Sequence, residues 1–473
     1  MWMRFFPVWC LLLTATASHA QQPLPASLSA ALSTPIALAA SPSLEYEPID
    51  LGLSIESSHA LWLEAIDDGS EKPSRVQQVA MMQVPAQLDV SGIQSVDASQ
   101  FSGSFAARPG RFDIGLDLYS APEFENGLIV FGDDVAMKFG GYVKTDFIYD
   151  FDPIDSTDSF VTTKIPVGSP DRTNTRFHAR QTRLSFDTRW KAEGYTVQAF
   201  VEGDFFGENS QFRLRHAYGE VGSLLVGRTW TTFTDVAASP ATIDFEGSVS
   251  NVNRRQAQAR WTQPIFGDAL TISIAVEDTR FIVIAPPGLP GDARSPSPDV
   301  IARLKLTRDW GRFQFAYLSR TGGYQPTGGP VMEGSAWGLN FTGVVMLLES
   351  TKVYYQIVHG EGIGSYRSLP DAAPESATTE RVLPLFGWMV GITHEWNDRF
   401  SSNFTYAANQ LDTAPLQPPD DVSATSYLAA NLIWSPLERV KVGIEYLYGT
   451  RENVNMSSAD AHRIQSAVAF ILP

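Results

Sequence analysis

The 473-residue sequence is poor in cysteine, histidine and basic residues. Its single cysteine, Cys10, lies in an N-terminal segment that we expect to be cleaved, so the mature chain has no disulfide framework or thiol chemistry. Outside that segment no run of 18 apolar residues occurs, which excludes a membrane-spanning helix. The 35 Lys and Arg residues are outnumbered by 52 Asp and Glu, and the resulting net charge of −17 argues against nucleic acid as a partner.

The N-terminus has the pattern of a secretory signal peptide over residues 1–20. Arg4 supplies a short positive region, residues 5–13 are apolar, and Ser18, His19 and Ala20 form a small-residue cleavage site. Residues 21–136 then predict a flexible linker rich in Ala, Pro, Ser and Leu, followed by a periplasmic extension to which the sequence assigns no fold. We therefore expect export from the cytoplasm.

From Met137 onward the sequence repeats segments of about ten residues that alternate between apolar and polar. In one of them Val442, Ile444 and Tyr446 share one face while Gly443 and Glu445 share the other. Residues 137–473 therefore predict an all-β fold, a 16-stranded antiparallel transmembrane β-barrel. The predicted strands are 137–151, 176–190, 195–206, 211–221, 223–231, 254–263, 270–278, 300–309, 311–320, 335–346, 351–359, 385–395, 399–409, 425–435, 440–450 and 461–472.

The connections between these strands alternate between short turns and mostly long loops. Four tryptophans lie at strand ends next to short turns, where an interfacial girdle of aromatic side chains is expected: Trp190, Trp310, Trp396 and Trp434. This sorting predicts short periplasmic turns and long extracellular loops. A soluble β-sandwich also alternates, but it has little reason to place tryptophans at one end and long loops at the other.

The polar face of the predicted barrel is rich in cations. The inward set comprises Lys138, Lys144, Arg183, Arg189, Arg213, Arg215, Arg228, Arg254, Arg260, Arg303, Lys305, Arg312, Lys352, Lys441 and Arg463. Inward acids are fewer: Asp146, Asp150, Asp187, Glu202, Asp204 and Glu445. Rings of Arg and Lys favour anions in pores. An alternative stays open, in which these arginines pair with Asp187, Glu202 and Asp204 and only rigidify the wall.

One segment does not follow a single alternation. Arg176, His178 and Arg180 are out of phase with Arg183 and Arg189, which a bulge or a position above the membrane would explain. The string GEGIGSY, from Gly360, resembles a phosphate-binding glycine loop but does not join a strand to a helix, so we expect a flexible loop.

Several strings within residues 138–278 resemble the DcaP-type porins, which are trimeric outer-membrane channels for dicarboxylates and other small anions. The resemblance rests on FGGYVKTDFIYDFDPI from Phe139, ARQTRLSFDTRW from Ala179, FVEGDFFG from Phe200, RLRHAYGEVG from Arg213 and GRTWTTFTDVAASPATIDFEG from Gly227. It implies that residues 232–253 fold into the barrel as a constriction loop opposite Arg213, Arg215 and Arg228. The polar tip of this loop would comprise Thr234, Asp235, Asp244 and Glu246.

Two features depart from this family. Its members can carry an N-terminal coiled coil, whereas the extension here lacks heptads. The usual final aromatic residue of outer-membrane barrels is replaced by Phe470 followed by Ile471, Leu472 and Pro473.

Together these features predict a porin in the outer membrane of a Gram-negative bacterium, not an enzyme, that passes small anionic solutes, dicarboxylates in particular. The expected binding residues are Arg183, Arg189, Arg213, Arg215, Arg228, Arg254, Arg260 and Arg303, with no catalytic residue, metal or cofactor. The expected partners are outer-membrane lipid, lipopolysaccharide and two further copies in a homotrimer. Two alternatives stay open: a structural or surface-interaction barrel with little conductance, and a channel for phosphate or sugars.

Overall fold

A computed structural model describes residues 128–131, 135–267, 269–286, 288–376 and 378–472. The predicted signal peptide, the linker and almost all of the predicted extension lie outside these residues.

The chain from Val135 onward forms sixteen antiparallel strands closed into a barrel, because the last strand pairs with the first. The predicted fold class and the number of strands are confirmed. The strands are β1 Val135–Asp150, β2 Asn174–His178 continued by Arg183–Ala192, β3 Tyr195–Asp204, β4 Arg213–Val221, β5 Leu224–Trp230, β6 Arg255–Phe266, β7 Leu270–Glu277, β8 Asp299–Arg308, β9 Gly311–Pro326, β10 Met332–Leu348, β11 Thr351–Glu361, β12 Pro384–Asn397, β13 Phe400–Leu411, β14 Val422–Leu437, β15 Val440–Asn453 and β16 Ser458–Ile471.

Four shorter strands lie outside the sixteen. Leu128–Phe131 pairs with β1, and Gly291–Arg294 pairs with β9. Ala372–Pro374 and Glu380–Val382 form a two-stranded hairpin, called here the outer hairpin, in the loop between β11 and β12.

No helix in the described ranges is long and apolar enough to cross a membrane.

The two faces of each strand differ as the period-two pattern predicts. On β1, Phe139, Val143 and Phe147 are exposed on the outside, whereas Lys144 and Asp146 are buried inside the barrel. Side chains of successive residues point to opposite faces of a sheet, so an alternating sequence places apolar groups outside and polar groups inside. Buried charged side chains of β1, such as Lys144 and Asp146, therefore lie inside the barrel.

An interruption of β2 explains the arginines that are out of phase. Residues 179–182 leave the ladder, and the Thr182 hydroxyl fills the gap by bonding the backbone N–H and C=O of Lys144 at 3.2 and 3.3 Å. Arg176, on the long-loop side of the break, and Arg180, within the break, both bind the Asp158 carboxylate in the loop after β1. Arg183 begins the second half of β2 and faces inward.

The connections alternate in length. The short ones, which define the short-turn end, are residues 193–194, 222–223, 267–269, 309–310, 349–350, 398–399 and 438–439. Gly222 has φ +56° in its two-residue turn, a conformation that favours glycine. Trp310, Trp396 and Trp434 are exposed at this end, as an interfacial girdle requires.

Candidate functional site

The connection between β5 and β6, residues 231–254, folds into the barrel and is called here the inner loop. Its apolar residues Phe233, Ile243 and Val252 are almost fully buried, which removes them from water. Its only regular element is the 3-10 turn Val236–Ala238, where the Asp235 side chain accepts from the N–H of Ala237 at 3.1 Å.

Polar side chains of the wall bind the backbone of the inner loop. Irregular backbone inside a barrel needs partners, because an unpaired buried N–H or C=O is costly. Wall amides donate to loop carbonyls, and the pairs are Asn340 with Phe233, Gln314 with Thr234, Asn431 with Ala241 and Asn409 with Val249, at 2.7–3.1 Å. The Gln258 amide donates to the Trp230 carbonyl, at the end of β5 next to the loop, at 2.8 Å. The Glu277 carboxylate accepts from the N–H of Thr232 at 2.7 Å, and the Lys144 ammonium donates to the Ile243 carbonyl at 2.6 Å. Sequence reasoning followed inward charges and missed these amides, which share the inward positions with them.

A second loop packs against the inner loop. Residues 364–367 of the GEGIGSY region form a buried 3-10 turn instead of the expected flexible loop. Arg367 donates to the Val249 carbonyl and to Asn253 Oδ1, both at 2.7 Å, and lies 3.4 Å from the Glu246 carboxylate. This arginine therefore binds three positions on the returning half of the inner loop.

A cavity of about 380 Å³, the upper cavity, lies on the long-loop side of the inner loop. Tyr366, Phe245 and Trp230 contribute aromatic surface to its lining. Among the described residues, the charged side chains that line it are seven arginines, Arg183, Arg213, Arg215, Arg228, Arg254, Arg255 and Arg280, and two acids, Glu246 and Asp278.

Three of these arginines are ion-paired with buried acids. Arg215 contacts both Glu202 and Asp204 at 2.8 Å, Arg213 contacts Asp204 at 2.8 Å, and Arg183 lies 3.5 Å from Glu202. Both carboxylates are almost fully buried, and a buried carboxylate needs such partners. The ion-pairing considered for the wall therefore occurs at these three positions, which also line the cavity.

Arg254 differs from them, since it makes no ion pair within the described part of the chain. Its guanidinium donates to the Arg280 carbonyl at 3.3 Å and to Ser365 Oγ at 3.1 Å, and lies 5.2 Å from the centre of the Tyr366 ring. The Tyr366 hydroxyl in turn donates to Asp299 at 2.8 Å. Arg254 is thus held by neutral groups and an aromatic ring, and its charge lines the cavity.

Arg228 lines the upper cavity, although it does not occupy an inward-facing position of β5 as the sequence predicted. The inward positions of β5 are occupied by the buried Leu225 and Thr229, and Arg228 pairs in register with Ala217 and Ala257. Lying two residues from the end of β5, it lines the cavity near the long-loop end of the strand.

A second, smaller cavity of about 20 Å³, the lower cavity, lies on the other side of the inner loop. Arg260, Arg303, Lys305 and Arg312 line it from the walls of β6, β8 and β9. Trp230, at the end of β5, and Val236, in the inner loop, line both cavities, so these two residues lie between them. Arg189 lines neither cavity and pairs with Asp187 at 2.9 Å.

The four residues expected at the polar tip of the loop occupy three different places. Thr234 and Asp235 line the lower cavity, and Asp235 binds Arg312 and Thr342 at 2.6 Å. Asp244 is buried and accepts from the N–H groups of Phe160, Glu246 and Gly247 at 2.8–3.1 Å. Glu246 lines the upper cavity.

Sequence reasoning also missed the aromatic groups beside the arginines. The rings of Phe206 and Phe245 stack at 3.9 Å, and the Arg213 guanidinium lies 5.3 Å from the Phe245 ring. These residues come from loops without alternation, so no period marked them in the sequence.

Within the described ranges no group of three or more His, Cys, Asp or Glu residues could hold a metal ion.

Residues 122–281 match the family model described as DcaP outer membrane protein. This segment contains β1 to β7 and the inner loop, and the predicted resemblance is confirmed there. Comparison with curated protein sequences finds no match.

The crystal structure of the outer membrane channel DcaP of Acinetobacter baumannii is similar over 72% of this chain and 99% of that chain, with 19% identity and a TM-score of 0.65. OmpT of Vibrio cholerae aligns with 11% identity over 73% of this chain and 99% of its own, with a TM-score of 0.46. An anion-selective porin from Comamonas acidovorans aligns with 10% identity over 72% of this chain and 100% of its own, with a TM-score of 0.49. Residues 122–281 therefore resemble the DcaP outer membrane proteins, and the barrel has the fold of the DcaP channel.

Proposed function

We propose that this barrel is a passive channel for small anionic solutes, dicarboxylates in particular. The upper cavity is the solute-binding site, and the inner loop is the constriction. The observation that carries the proposal is the lining of the upper cavity, to which the described residues contribute seven arginines and two acids.

The energetics favour weak, reversible binding. One Arg–carboxylate pair at 4 Å contributes about 4 kcal/mol at an effective dielectric near 20, before desolvation is subtracted. Arg213 and Arg215 already share Asp204, so their charge is partly compensated, whereas Arg254 has no carboxylate partner in the part of the chain that the structure describes. A guanidinium binds a carboxylate with two parallel hydrogen bonds, which an ammonium cannot do. Arg254 is therefore the strongest single candidate for the solute contact.

The remaining expectations complete this proposal. The chain is exported by a signal peptide over residues 1–20 and acts in the outer membrane of a Gram-negative bacterium. It assembles as a homotrimer among lipid and lipopolysaccharide, as the resemblance to DcaP-type porins implies.

Reversal potentials in planar bilayers under a KCl gradient test the proposal directly. We expect anion selectivity, and block of the current by succinate that weakens when Arg213 or Arg228 is replaced by Ala. Clear cation selectivity would overturn the proposal. Block that is unchanged in both variants would move the site away from the upper cavity.

One observation favours the alternative of a structural barrel with little conductance. Two loops pack inside the barrel, and Arg367 joins them through Val249 and Asn253. Absence of conductance in the purified protein would support that alternative. A solute panel that includes phosphate and neutral sugars separates a dicarboxylate channel from a phosphate or sugar channel.

A further inference from the structure

Arg320, on β9, is a buried arginine next to the upper cavity, but it is not among the described residues that line that cavity. Its Nε lies 3.1 Å from the Asp299 carboxylate, and its Nη1 lies 3.5 Å from the Asp371 carboxylate. The side chains of all three residues are 0% exposed. Buried ion pairs of this kind need close partners, so the guanidinium is held in one place and is out of reach of a solute.

Arg320 and Arg254 donate to the same two acceptors. Arg320 donates to the Arg280 carbonyl at 2.8 Å and to Ser365 Oγ at 3.0 Å. Arg254 Nη1 donates to that carbonyl at 3.3 Å and to that hydroxyl at 3.1 Å. Both guanidiniums also lie over the Tyr366 ring, at 5.4 and 5.2 Å from its centre. The groups that hold Arg254 are therefore the groups that Arg320 binds.

The two acids that pair with Arg320 also fix the turn that carries these groups. The Tyr366 hydroxyl donates to Asp299 at 2.8 Å, and the Ser365 backbone N–H donates to Asp371 at 2.9 Å. Asp371 also accepts from the N–H of Ile282 at 2.8 Å. The ion pairs of Arg320 and the acceptors of Arg254 thus form one connected network, in which each buried carboxylate has several donors.

This network leaves one edge of the Arg254 guanidinium for a solute. Both hydrogen bonds that Arg254 makes with described residues use Nη1. Nε and Nη2 lie together on the other edge, and their two N–H groups are parallel. A carboxylate accepts two parallel hydrogen bonds from such an edge, a geometry that requires a fixed guanidinium plane.

We propose that Arg320 is a positioning residue for the carboxylate contact of the upper cavity. It fixes the Arg280 carbonyl and the Ser365 hydroxyl, which hold Arg254 so that its Nε and Nη2 bind a carboxylate together. The consequence is a preference for planar carboxylates over spherical anions such as chloride, because only two oxygens can accept both bonds. This inference rests on the proposed function, since it assigns specificity to the same cavity.

Arg320→Lys tests the inference in planar bilayers. The variant keeps a positive charge beside Asp299 and Asp371, but an ammonium lacks the planar fork that binds both shared acceptors. We expect the succinate concentration for half-block to rise roughly fivefold, as for a weakened hydrogen bond. The reversal potential in a KCl gradient should stay at the wild-type value, because Arg254 keeps its charge. A merely structural role of Arg320 would not separate these two measurements.

The double variant Arg254→Gln, Arg320→Lys tests whether Arg320 acts through Arg254. Its half-block concentration should equal that of Arg254→Gln alone, because residues that act through one contact are not additive. Arg451→Lys is the matched control. Arg451 also binds loop carbonyls, those of Thr163 and Asp420 at 2.9 and 2.6 Å, and is not among the described residues that line the upper cavity. This control should be blocked by succinate like the wild type.

Ser365→Ala is a second variant, which removes one shared acceptor and leaves every ion pair of Arg320 in place. We expect its half-block concentration to rise roughly threefold, so the inference can be tested even if Arg320→Lys does not fold. Wild-type block in Ser365→Ala, or a double variant whose effect is the sum of the two single effects, would overturn the inference. A wild-type channel that succinate does not block would instead count against the proposed function.

Discussion

The Glu445 carboxylate accepts a hydrogen bond from the backbone N–H of Asp244 at 2.8 Å, across 201 residues of sequence. Its other oxygen accepts from the N–H of Ile243 at 2.9 Å and from the Asn431 amide at 2.8 Å. One inward side chain of β15 thus satisfies two consecutive backbone donors at the turn of the inner loop.

Replacing Glu445 with Ala should loosen the inner loop. The change leaves the N–H groups of Ile243 and Asp244 without their acceptor, at a cost of about 1–3 kcal/mol for each. We expect noisier single-channel currents and a larger mean conductance in planar bilayers. Glu438→Ala is the control, because that side chain is 83% exposed in the turn before β15. Currents as quiet as those of the wild type would show that the carboxylate does not restrain the loop.

Replacing Arg254 with Gln should weaken solute binding without destabilising the barrel, because no carboxylate among the described residues loses its partner. We expect the succinate concentration for half-block to rise roughly tenfold, as one charge-assisted contact is lost, and the reversal potential to move toward cation selectivity. Arg254→Lys keeps the charge but loses the planar fork, so its block should be intermediate. The control is Arg294→Gln, on the exposed strand Gly291–Arg294. Equal block in Arg254→Gln and the control would exclude Arg254 from the site.

Replacing Arg215 with Gln, unlike the Arg254→Gln change, should lower the stability of the folded barrel. Its guanidinium contacts both Glu202 and Asp204, which stay buried after the change. Removing one partner of a buried pair costs about 3–5 kcal/mol. Denaturant unfolding of the detergent-solubilised protein measures this loss. Arg172→Gln breaks an exposed pair with Asp155 and should change stability by less than about 1 kcal/mol. Similar midpoints for the two variants would contradict this account.

The outer hairpin should respond to pH through Glu380. Burial raises the pKa of this carboxyl to about 7, and both of its oxygens are buried without hydrogen-bond partners. A folded-state pKa above the ordinary value of 4.5 means that the folded hairpin binds the proton more tightly than the unfolded one. Its contribution to stability is therefore fully present below pH 4.5 and is lost as the pH rises through 7.

Hydrogen exchange of residues 372–382, corrected for intrinsic rates, should be slower at pH 5.5 than at pH 8. The Glu380→Gln variant should lose this difference, whereas Glu375→Gln, at an exposed position in the same hairpin, should keep it. A pH difference that persists in Glu380→Gln would assign the response to another group.

Much of the wall could be predicted because its pattern is local. On β1, the side chains exposed on the outside are Phe139, Val143 and Phe147, and the buried ones inside the barrel include Lys144 and Asp146. A period of two residues is enough to assign both faces. The length of each connection and the tryptophans at its ends then distinguish the two rims. The irregular segment around Arg180 could also be detected in the sequence, because the alternation of side chains changes phase there. In the structure, residues 179–182 leave the pairing between β1 and β2.

The interior was decided by contacts between residues far apart in the chain. The sequence alone determined the barrel and its sixteen strands, because alternation is a property of neighbouring residues. Only the tertiary structure decided that Asp204 compensates Arg213 and Arg215 while Arg254 stacks on Tyr366, and that the inner loop divides the lining into two cavities. The physical reason is that the inner loop and the GEGIGSY turn carry no period. The position of the inner loop depends on hydrogen bonds to wall residues such as Glu445 and Asn409, more than a hundred residues away, and the GEGIGSY turn is bound by Arg320 of β9.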